Sequence, residues 1–263
     1  MFHRTLLACA LAACGFPSPA QVPAPNASGV AMGHLHINAR DVEAQRRFWT
    51  ALGGTEVKLG TLSGVRFPGV LIFFRPVEPA GGTAGTVVGH LGFQVRSLEE
   101  SRARWKAAGI ETTREPGQGP TQTFVTAPDA IRVEISENPA LTVPIAHHHI
   151  HFYDTAVDAT KAWYVKLFGA TPGKRGRFEA ADLPGANLTF SEAAAPPAPT
   201  RGRALDHIGF EVRHLEAFCR QLQDAGVKLD EPYRQVPALG IAVAFLTDPW
   251  GTRIELTEGL AGR

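Results

Sequence analysis

Residues Asp206–Val212 read Asp-His-Ile-Gly-Phe-Glu-Val, and this stretch decides the fold because a version of it occurs four times in the chain. The other copies begin at Gly33, Gly89 and His148, and each fits the pattern x-His-(Leu/Ile)-(His/Gly)-(Ile/Phe). The leading histidines are separated by 56, 59 and 58 residues, and they are His34, His90, His149 and His207. A near-constant period of this length predicts a tandem repeat of one structural unit.

Longer segments recur as well, and they divide the chain into two halves of two units each. Phe48-Trp-Thr-Ala-Leu and Trp163-Tyr-Val-Lys-Leu lie 115 residues apart, which is also the offset between the opening histidines of units one and three. Linkers rich in glycine, alanine or proline separate the units. We therefore predict a first half over residues 30–140 and a second over 145–260, after an N-terminal segment of residues 1–29.

Each unit has the pattern of a strand, a helix and three further strands. In unit four, apolar residues alternate along the opening strand, and the following segment has one apolar helical stripe over Leu215, Phe218, Cys219 and Leu222 before Gly226 ends it. Asp248-Pro-Trp-Gly is a turn between the last two strands. The predicted fold is α+β, with four βαβββ modules in two paired halves. Each half is a curved, mostly antiparallel sheet that forms a cup with helices on its outer face.

Strand alternation places the histidines on the face opposite the apolar residues. His207, Gly209 and Glu211 share that face in unit four, and the other opening strands follow the same rule. The final strands of the even units add Glu134 and Glu255, 121 residues apart in matching positions. We expect an exposed, polar and concave face.

The grouping of these residues depends on which units pair. If neighbours pair, the first half holds His34, His90 and Glu134, and the second holds His149, His207 and Glu255. Pairing unit one with four and two with three regroups the same six residues. Two imidazoles and a carboxylate form a facial triad that suits a divalent metal and leaves positions open for substrate. We predict a bound metal in at least one half, and the second half is favoured slightly because His151, Tyr153 and Glu211 enrich it.

Several neighbouring side chains are candidates for catalysis. His36 and His151 lie two residues beyond a predicted ligand and share its face, so each is a candidate acid, base or substrate contact, with a supporting hydrogen bond as the alternative. Tyr153 and Arg253 fall on the cup wall, where a phenol or a guanidinium is a candidate to orient an oxyanion, with a core or surface role as the favoured alternative. His147 falls on the ligand's face at the strand's start with no assigned role, whereas His148 points away and is interpreted as structural.

Charge and the N-terminal segment bear on partners and location. The net charge is +1 with scattered basic residues, so the sequence shows no electrostatic footprint for nucleic acid or an anionic surface. The expected partner is a small molecule, and the N-terminal apolar run is too short to span a membrane. A short apolar run after Arg4 predicts an export signal. Cleavage after Ala20 would give a periplasmic or secreted protein, and lipidation at Cys14 would give a lipoprotein. Residues 21–29 are predicted to form a flexible tether.

The repeated motifs resemble those of the vicinal oxygen chelate superfamily, which includes glyoxalase I, extradiol dioxygenases and bleomycin-resistance proteins. The motifs are GHLGFQV, DHIGFEV, FWTALGG and DPWGTRIELTE, and the resemblance covers most of the chain from Met32 to Glu258. It implies a cup around a divalent metal, often Fe, Zn, Ni or Mn, that chelates two neighbouring oxygens of a small substrate. The six residues grouped above are the implied ligands.

One departure narrows the expected activity. Glyoxalase I has a further glutamate in the last strand of the odd unit, but Val70-Leu-Ile-Phe-Phe and Ala186-Asn-Leu-Thr-Phe contain no carboxylate. The resemblance therefore shifts toward three-ligand dioxygenases. We predict an exported metal-dependent enzyme, similar to an extradiol dioxygenase or to a glyoxalase-type lyase or isomerase. The alternative is a non-catalytic protein that binds or sequesters a small molecule, as bleomycin-resistance proteins do.

Overall fold

A computed structural model describes residues 22–115 and 119–261. The predicted export signal and Cys14 therefore lie outside the described residues. Every helix within these two ranges is too short or too polar to cross a membrane.

The four predicted units are present. Unit one comprises β1 (Val30–Asn38), α1 (Val42–Leu52), β2 (Thr55–Leu59), β3 (Leu62–Phe67) and β4 (Val70–Arg75). Unit two comprises β5 (Val88–Val95), α2 (Leu98–Ala107), β6 (Gln122–Ala127) and β7 (Ile131–Glu137). Unit three comprises β8 (Ile145–Asp154), α3 (Val157–Phe168), β9 (Thr171–Arg175), β10 (Phe178–Leu183) and β11 (Ala186–Glu192). Unit four comprises β12 (Leu205–Val212), α4 (Leu215–Asp224), β13 (Leu229–Val236), β14 (Ile241–Thr247) and β15 (Arg253–Glu258).

Unit two differs from the predicted βαβββ pattern. The strand expected directly after α2 is reduced, within the described residues, to a single bridge between Thr113 and Phe124. The other three units have all four strands, and the predicted α+β class with two curved sheets is confirmed.

The sheets pair units in the alternative arrangement. One sheet has the order β13-β14-β15-β12-β1-β4-β3-β2 and joins units four and one, and the other has the order β6-β7-β5-β8-β11-β10-β9 and joins units two and three. The pairing of sequence neighbours is therefore wrong. We call the concave face of the first sheet cup A and that of the second sheet cup B.

Register at the centre of each sheet explains why the repeat alternates histidine with glycine. β1 and β12 run antiparallel, so that His34 lies opposite Gly209 and His36 lies opposite His207. A Cβ atom at Gly209 would overlap the His34 ring. In cup B, β5 and β8 repeat the arrangement, with Gly92 opposite His149. Each glycine therefore provides the space that the facing imidazole occupies.

The helices pack on the opposite sheet faces, and both sheets share one apolar core. The stripe predicted for α4 is buried, including Cys219, which confirms this cysteine as a small core residue. Gly226 ends this segment with φ +85°, a conformation that L side chains rarely adopt. The Trp105 indole donates a hydrogen bond to the Leu52 carbonyl at 3.1 Å, which joins the helices of units one and two.

The described part of the predicted tether, residues 22–29, is packed rather than flexible. The Asn26 carboxamide donates to the Phe168 and Gly169 carbonyls at 3.0 Å each, which satisfies groups left free at the end of α3. Val22 is buried in a small apolar cluster with Leu71 and Leu260. These contacts correct the prediction of a tether.

Candidate functional site

Cup A brings three of the predicted ligands together. The Glu255 Oε2 atom lies 3.2 Å from His34 Nε2 and 2.9 Å from His207 Nε2. With His36, these residues form a buried group in which one donor atom of each lies within 4.8 Å of the others. The neighbour-based grouping of His34 with His90, and of His149 with His207, is therefore wrong, because different units pair.

The position of Glu255 follows from the preceding turn. Asp248 Oδ1 accepts hydrogen bonds from the Trp250 and Thr252 backbone N–H groups at 3.0 and 2.7 Å. The Tyr164 hydroxyl donates to the other Asp248 oxygen at 2.8 Å, which ties the turn to α3. β15 then runs parallel to β12 with Glu255 beside Gly209. The Asp-Pro-Trp-Gly motif therefore fixes the register that delivers the carboxylate.

Asp206 supports His207 from behind, and sequence reasoning missed this residue. Its Oδ1 accepts from His207 Nδ1 at 2.7 Å and from Arg253 Nη1 at 2.7 Å, while its Oδ2 accepts from the Gly202 N–H at 2.7 Å. A carboxylate at Nδ1 holds the proton there, so that Nε2 is the nitrogen available to a metal. The signal was an aspartate immediately before the histidine, which occurs in unit four alone of the four copies. The Arg253 guanidinium is engaged by Asp206 and Glu231 and does not line the cavity.

Burial and pairing set the charges of cup A. Burial raises the pKa of Glu255, but the neighbouring His34 and His207 outweigh it and hold that pKa well below its usual range. Burial lowers the pKa of His207, but hydrogen bonds to Asp206 and Glu255 raise it above normal. Burial, reinforced by His207 and His34, lowers the pKa of His36 well below its usual value. His36 is therefore neutral, and its buried Nε2 has no hydrogen-bond partner.

A small cavity of about 150 Å³ adjoins this group. His34, His36 and Glu255 contribute to its lining, and the remaining lining is largely apolar, from Leu59, Leu62, Phe73, Val236, Leu239, Ile241, Val243, Phe245 and Leu260, with Arg234 and Thr257. The predicted ligands are buried, so the expectation of an exposed polar face is wrong. Side chains from β2, β4 and β14 enclose the site.

Cup B brings together the other three predicted ligands. His90 Nε2 lies 3.2 Å from Glu134 Oε2, and His149 Nε2 lies 4.0 Å from the same oxygen. An arginine that sequence reasoning missed, Arg175, lies between them: its Nη2 is 3.1 Å from His149 Nε2 and its Nη1 is 3.4 Å from Glu134 Oε1. Its signal was weak, because Arg175 stands in a Lys-Arg-Gly-Arg segment typical of an exposed turn.

The predicted catalytic residues His151 and Tyr153 lie in cup B, in a different sheet from Glu255. His151 Nε2 lies 2.7 Å from the Ser191 hydroxyl, and its ring stacks on Tyr153 at 4.8 Å between centroids. Burial lowers the pKa of His151 to about 2 and raises that of Tyr153. Glu211, also expected to line a cup, instead accepts backbone hydrogen bonds from residues 259–261.

His147 and His148 are the remaining histidines of the 147–151 segment, and only His147 departs from its predicted position. A register shift in the β5–β8 pairing places His147 opposite Phe93, and its ring packs against Phe93 at 5.4 Å instead of joining the ligands. The prediction that His147 lies on the ligand face is therefore wrong. His148 Nδ1 lies 3.0 Å from His149 Nδ1, which agrees with a structural role.

The two cups differ in how well they suit a metal ion. Cup A offers two imidazole nitrogens and a carboxylate, and a third imidazole nitrogen, His36 Nε2, lies beside them without a hydrogen-bond partner. This donor set suits divalent iron, zinc, nickel or manganese. Cup B has equivalent donors, but a guanidinium contacts two of them.

Comparison with known proteins agrees with this architecture. Residues 146–256 match the family model described as the Glyoxalase/Bleomycin resistance protein/Dioxygenase superfamily. Glyoxalase I from Zea mays is 16% identical and superimposes with a TM-score of 0.65, covering 87% of this chain and 92% of that chain. The resemblance to the vicinal oxygen chelate superfamily is confirmed. No curated protein matches the chain significantly in sequence.

A second solved structure extends the comparison. A putative dioxygenase from Bacillus subtilis subsp. subtilis str. 168 is 15% identical with a TM-score of 0.65, covering 92% of this chain and 88% of that chain. At such low identities the two structures share the fold with this chain, and the reaction has to be argued from the site itself.

Proposed function

We propose that cup A is the divalent metal centre of an enzyme that acts on a small substrate through two neighbouring oxygen atoms. The observation that carries this proposal is the convergence of His34, His207 and Glu255 on one point beside an apolar cavity. A facial set of two imidazoles and one carboxylate leaves coordination positions for a chelating substrate.

The residues of the chain have separate tasks in this proposal. His34, His207 and Glu255 would hold the metal, and Asp206 orients His207 through its Nδ1 proton. The bound metal would supply Lewis-acid stabilisation of the negative charge that develops on substrate oxygen. The buried Nε2 of His36 has no hydrogen-bond partner and His36 lines the cavity, so this residue is suited to orient a substrate hydroxyl through a hydrogen bond.

The walls of the cavity bear on the substrate and the reaction. Phe73 and Phe245 face the imidazoles, at 5.7 Å from His34 and 5.5 Å from His207 between ring centroids. A compact, apolar or aromatic carbon skeleton fits such walls. Phe73 also stands in β4, the strand in which glyoxalase I is expected to carry a fourth metal ligand, a glutamate. This three-ligand set favours a dioxygenase of the extradiol type with Fe(II) over a lyase or isomerase with zinc, nickel or manganese.

Metal analysis combined with oxygen uptake tests the proposal. We expect iron bound to protein purified anaerobically and oxygen consumption with catechols, both lost in His207→Ala. His214→Gln is the matched control, because His214 is an exposed histidine of the same unit. Zinc or nickel without oxygen uptake would indicate the lyase or isomerase, whereas metal retained in His207→Ala would contradict the assignment of cup A.

A metal-free binding protein is the second candidate. It is favoured by one observation, namely that Glu255 already pairs with both imidazoles and leaves no bare carboxylate in the cup. In that case a small molecule would bind equally well before and after chelator treatment. Calorimetric titration with catechol, with and without added Fe(II), separates the two candidates.

We propose in addition that the protein is exported, as the sequence before Gln21 suggests. The test is the mass of the mature chain recovered from the periplasm or the medium. Cleavage after Ala20 gives a soluble form, and lipidation gives a membrane-associated form that Cys14→Ser releases. An intact N-terminus on cytosolic protein would contradict export.

A further inference from the structure

Arg175 fills the place in cup B where a metal ion would meet its ligands. The side chain leaves the end of β9 with its Nη2 3.1 Å from His149 Nε2 and its Nη1 3.4 Å from Glu134 Oε1. Its Nε donates to the Thr189 hydroxyl at 3.0 Å, and that hydroxyl donates in turn to Asn187 at 2.6 Å. All three guanidinium nitrogens are therefore engaged, and the side chain is only 20% exposed.

The contacts of Arg175 occupy lone pairs on His149 and Glu134 that a metal ion would otherwise use. A guanidinium has only donors and stays charged, so its N–H directed at His149 Nε2 occupies that nitrogen's lone pair. The other nitrogen of His149 faces His148. We propose that Arg175 is a built-in cation that excludes metal from cup B, so that the chain binds one metal ion, in cup A. The stoichiometry rests on the function proposed for cup A, whereas the exclusion by Arg175 does not.

The equivalent position in cup A carries an uncharged residue. β2 and β9 have the same length, and their last residues, Leu59 and Arg175, pair with Leu62 and Phe178 across equivalent tight turns. Leu59 lines the cavity of cup A without offering a charge or a donor. The replacement of leucine by arginine at this one position therefore distinguishes the two cups electrostatically.

The ligands of cup B remain positioned to bind a metal once the guanidinium is removed. His90 and His149 place their Nε2 atoms 3.5 Å apart, and both approach Glu134 Oε2. The β5–β8 register that sets these positions does not involve Arg175. Substituting Arg175 by leucine, the residue of cup A, is thus expected to create a second metal site.

Zinc titration of chelator-treated protein by isothermal calorimetry, with metal analysis after dialysis, tests the proposal. We expect one zinc per chain in the wild type, two in Arg175→Leu and one again in Arg175→Leu/His149→Ala. Arg177→Leu is the matched control, because Arg177 is an exposed arginine two residues after Arg175 and its replacement removes the same charge. This variant should bind one zinc ion per chain. Circular dichroism confirms that each variant is folded.

The outcomes separate this proposal from that for cup A. Two ions in the wild type, or no additional ion in folded Arg175→Leu, overturns the role of Arg175. No ion in the wild type but one in Arg175→Leu would contradict the metal centre proposed for cup A and would support the exclusion of metal by Arg175. If Arg175→Leu does not fold, His149→Ala in the wild-type background decides: unchanged zinc supports the proposal, and a loss of zinc overturns it.

Discussion

Cup A and cup B are two versions of one structure that differ in the groups around their shared histidines and glutamate. In each, an antiparallel pair of opening strands sets a histidine against a glycine, and a parallel strand adds a glutamate. Cup A backs His207 with the carboxylate of Asp206, whereas cup B backs His149 with His148 and fills its centre with Arg175. On the proposals above, cup A holds a metal and cup B excludes one although both have the same ligand types, because the groups around the ligands differ.

The largest effect is expected from removing one glutamate at a time. Glu255→Ala should weaken metal binding at least about a hundredfold, because the anionic ligand of cup A is lost, and Glu134→Ala should leave binding unchanged. Competition against a chromophoric chelator measures both affinities. Equal losses in the two variants would mean that the cups are equivalent.

Asp206→Asn tests the support behind His207. Losing the carboxylate should weaken metal binding about 10- to 100-fold, because the imidazole is less basic and less well oriented. Glu231→Gln is the control, since Glu231 contacts Arg253 at 3.2 Å but does not contact His207. An affinity unchanged in Asp206→Asn would assign this aspartate to folding alone.

Replacing the central glycine of each cup by alanine compares the effect of the same change on the stability of cup A and cup B. Gly209→Ala and Gly92→Ala should each lower the free energy of unfolding by about 1–3 kcal/mol, because the added Cβ overlaps a facing imidazole. Only Gly209→Ala should also reduce metal affinity. Denaturant unfolding and chelator competition measure the two effects. Gly119→Ala, where a Cβ atom meets open space, should change neither quantity.

Tyr153→Phe is expected to have the smallest effect. The ring that stacks on His151 is kept and the hydroxyl lies in cup B, so the free energy of unfolding should change by less than about 0.5 kcal/mol. Turnover in cup A should remain within about twofold. A tenfold loss of turnover would restore Tyr153 as a catalytic residue and show that cup B takes part in the reaction.

Much of the fold follows from the sequence, because alternation and period are local properties of the chain. The four units, the α4 stripe and the six clustered residues are all predicted from them. The pairing of units is not, since Gly209 and Gly92 provide the same space and His34 would suit either partner strand. Only long-range packing selects Gly209.

The supporting residues were harder to predict for physical reasons. Arg175 reaches cup B because of the β9–β10 register, and its neighbours Lys174 and Arg177 are exposed, so its sequence context indicates a surface turn. His147 is turned away by a register irregularity near His148 that leaves no compositional signal. Both depend on tertiary geometry rather than on local pattern.

The order of the units along the chain determines when each cup can form during translation. Cup B is built from the continuous segment of residues 88–192, so a chain still emerging from the ribosome contains everything that this sheet requires. Cup A draws His34 from its first strand, but His207 and Glu255 come from the last unit. Until translation reaches β15, cup A lacks part of its proposed ligand set, so this cup is the last part of the protein that can be assembled.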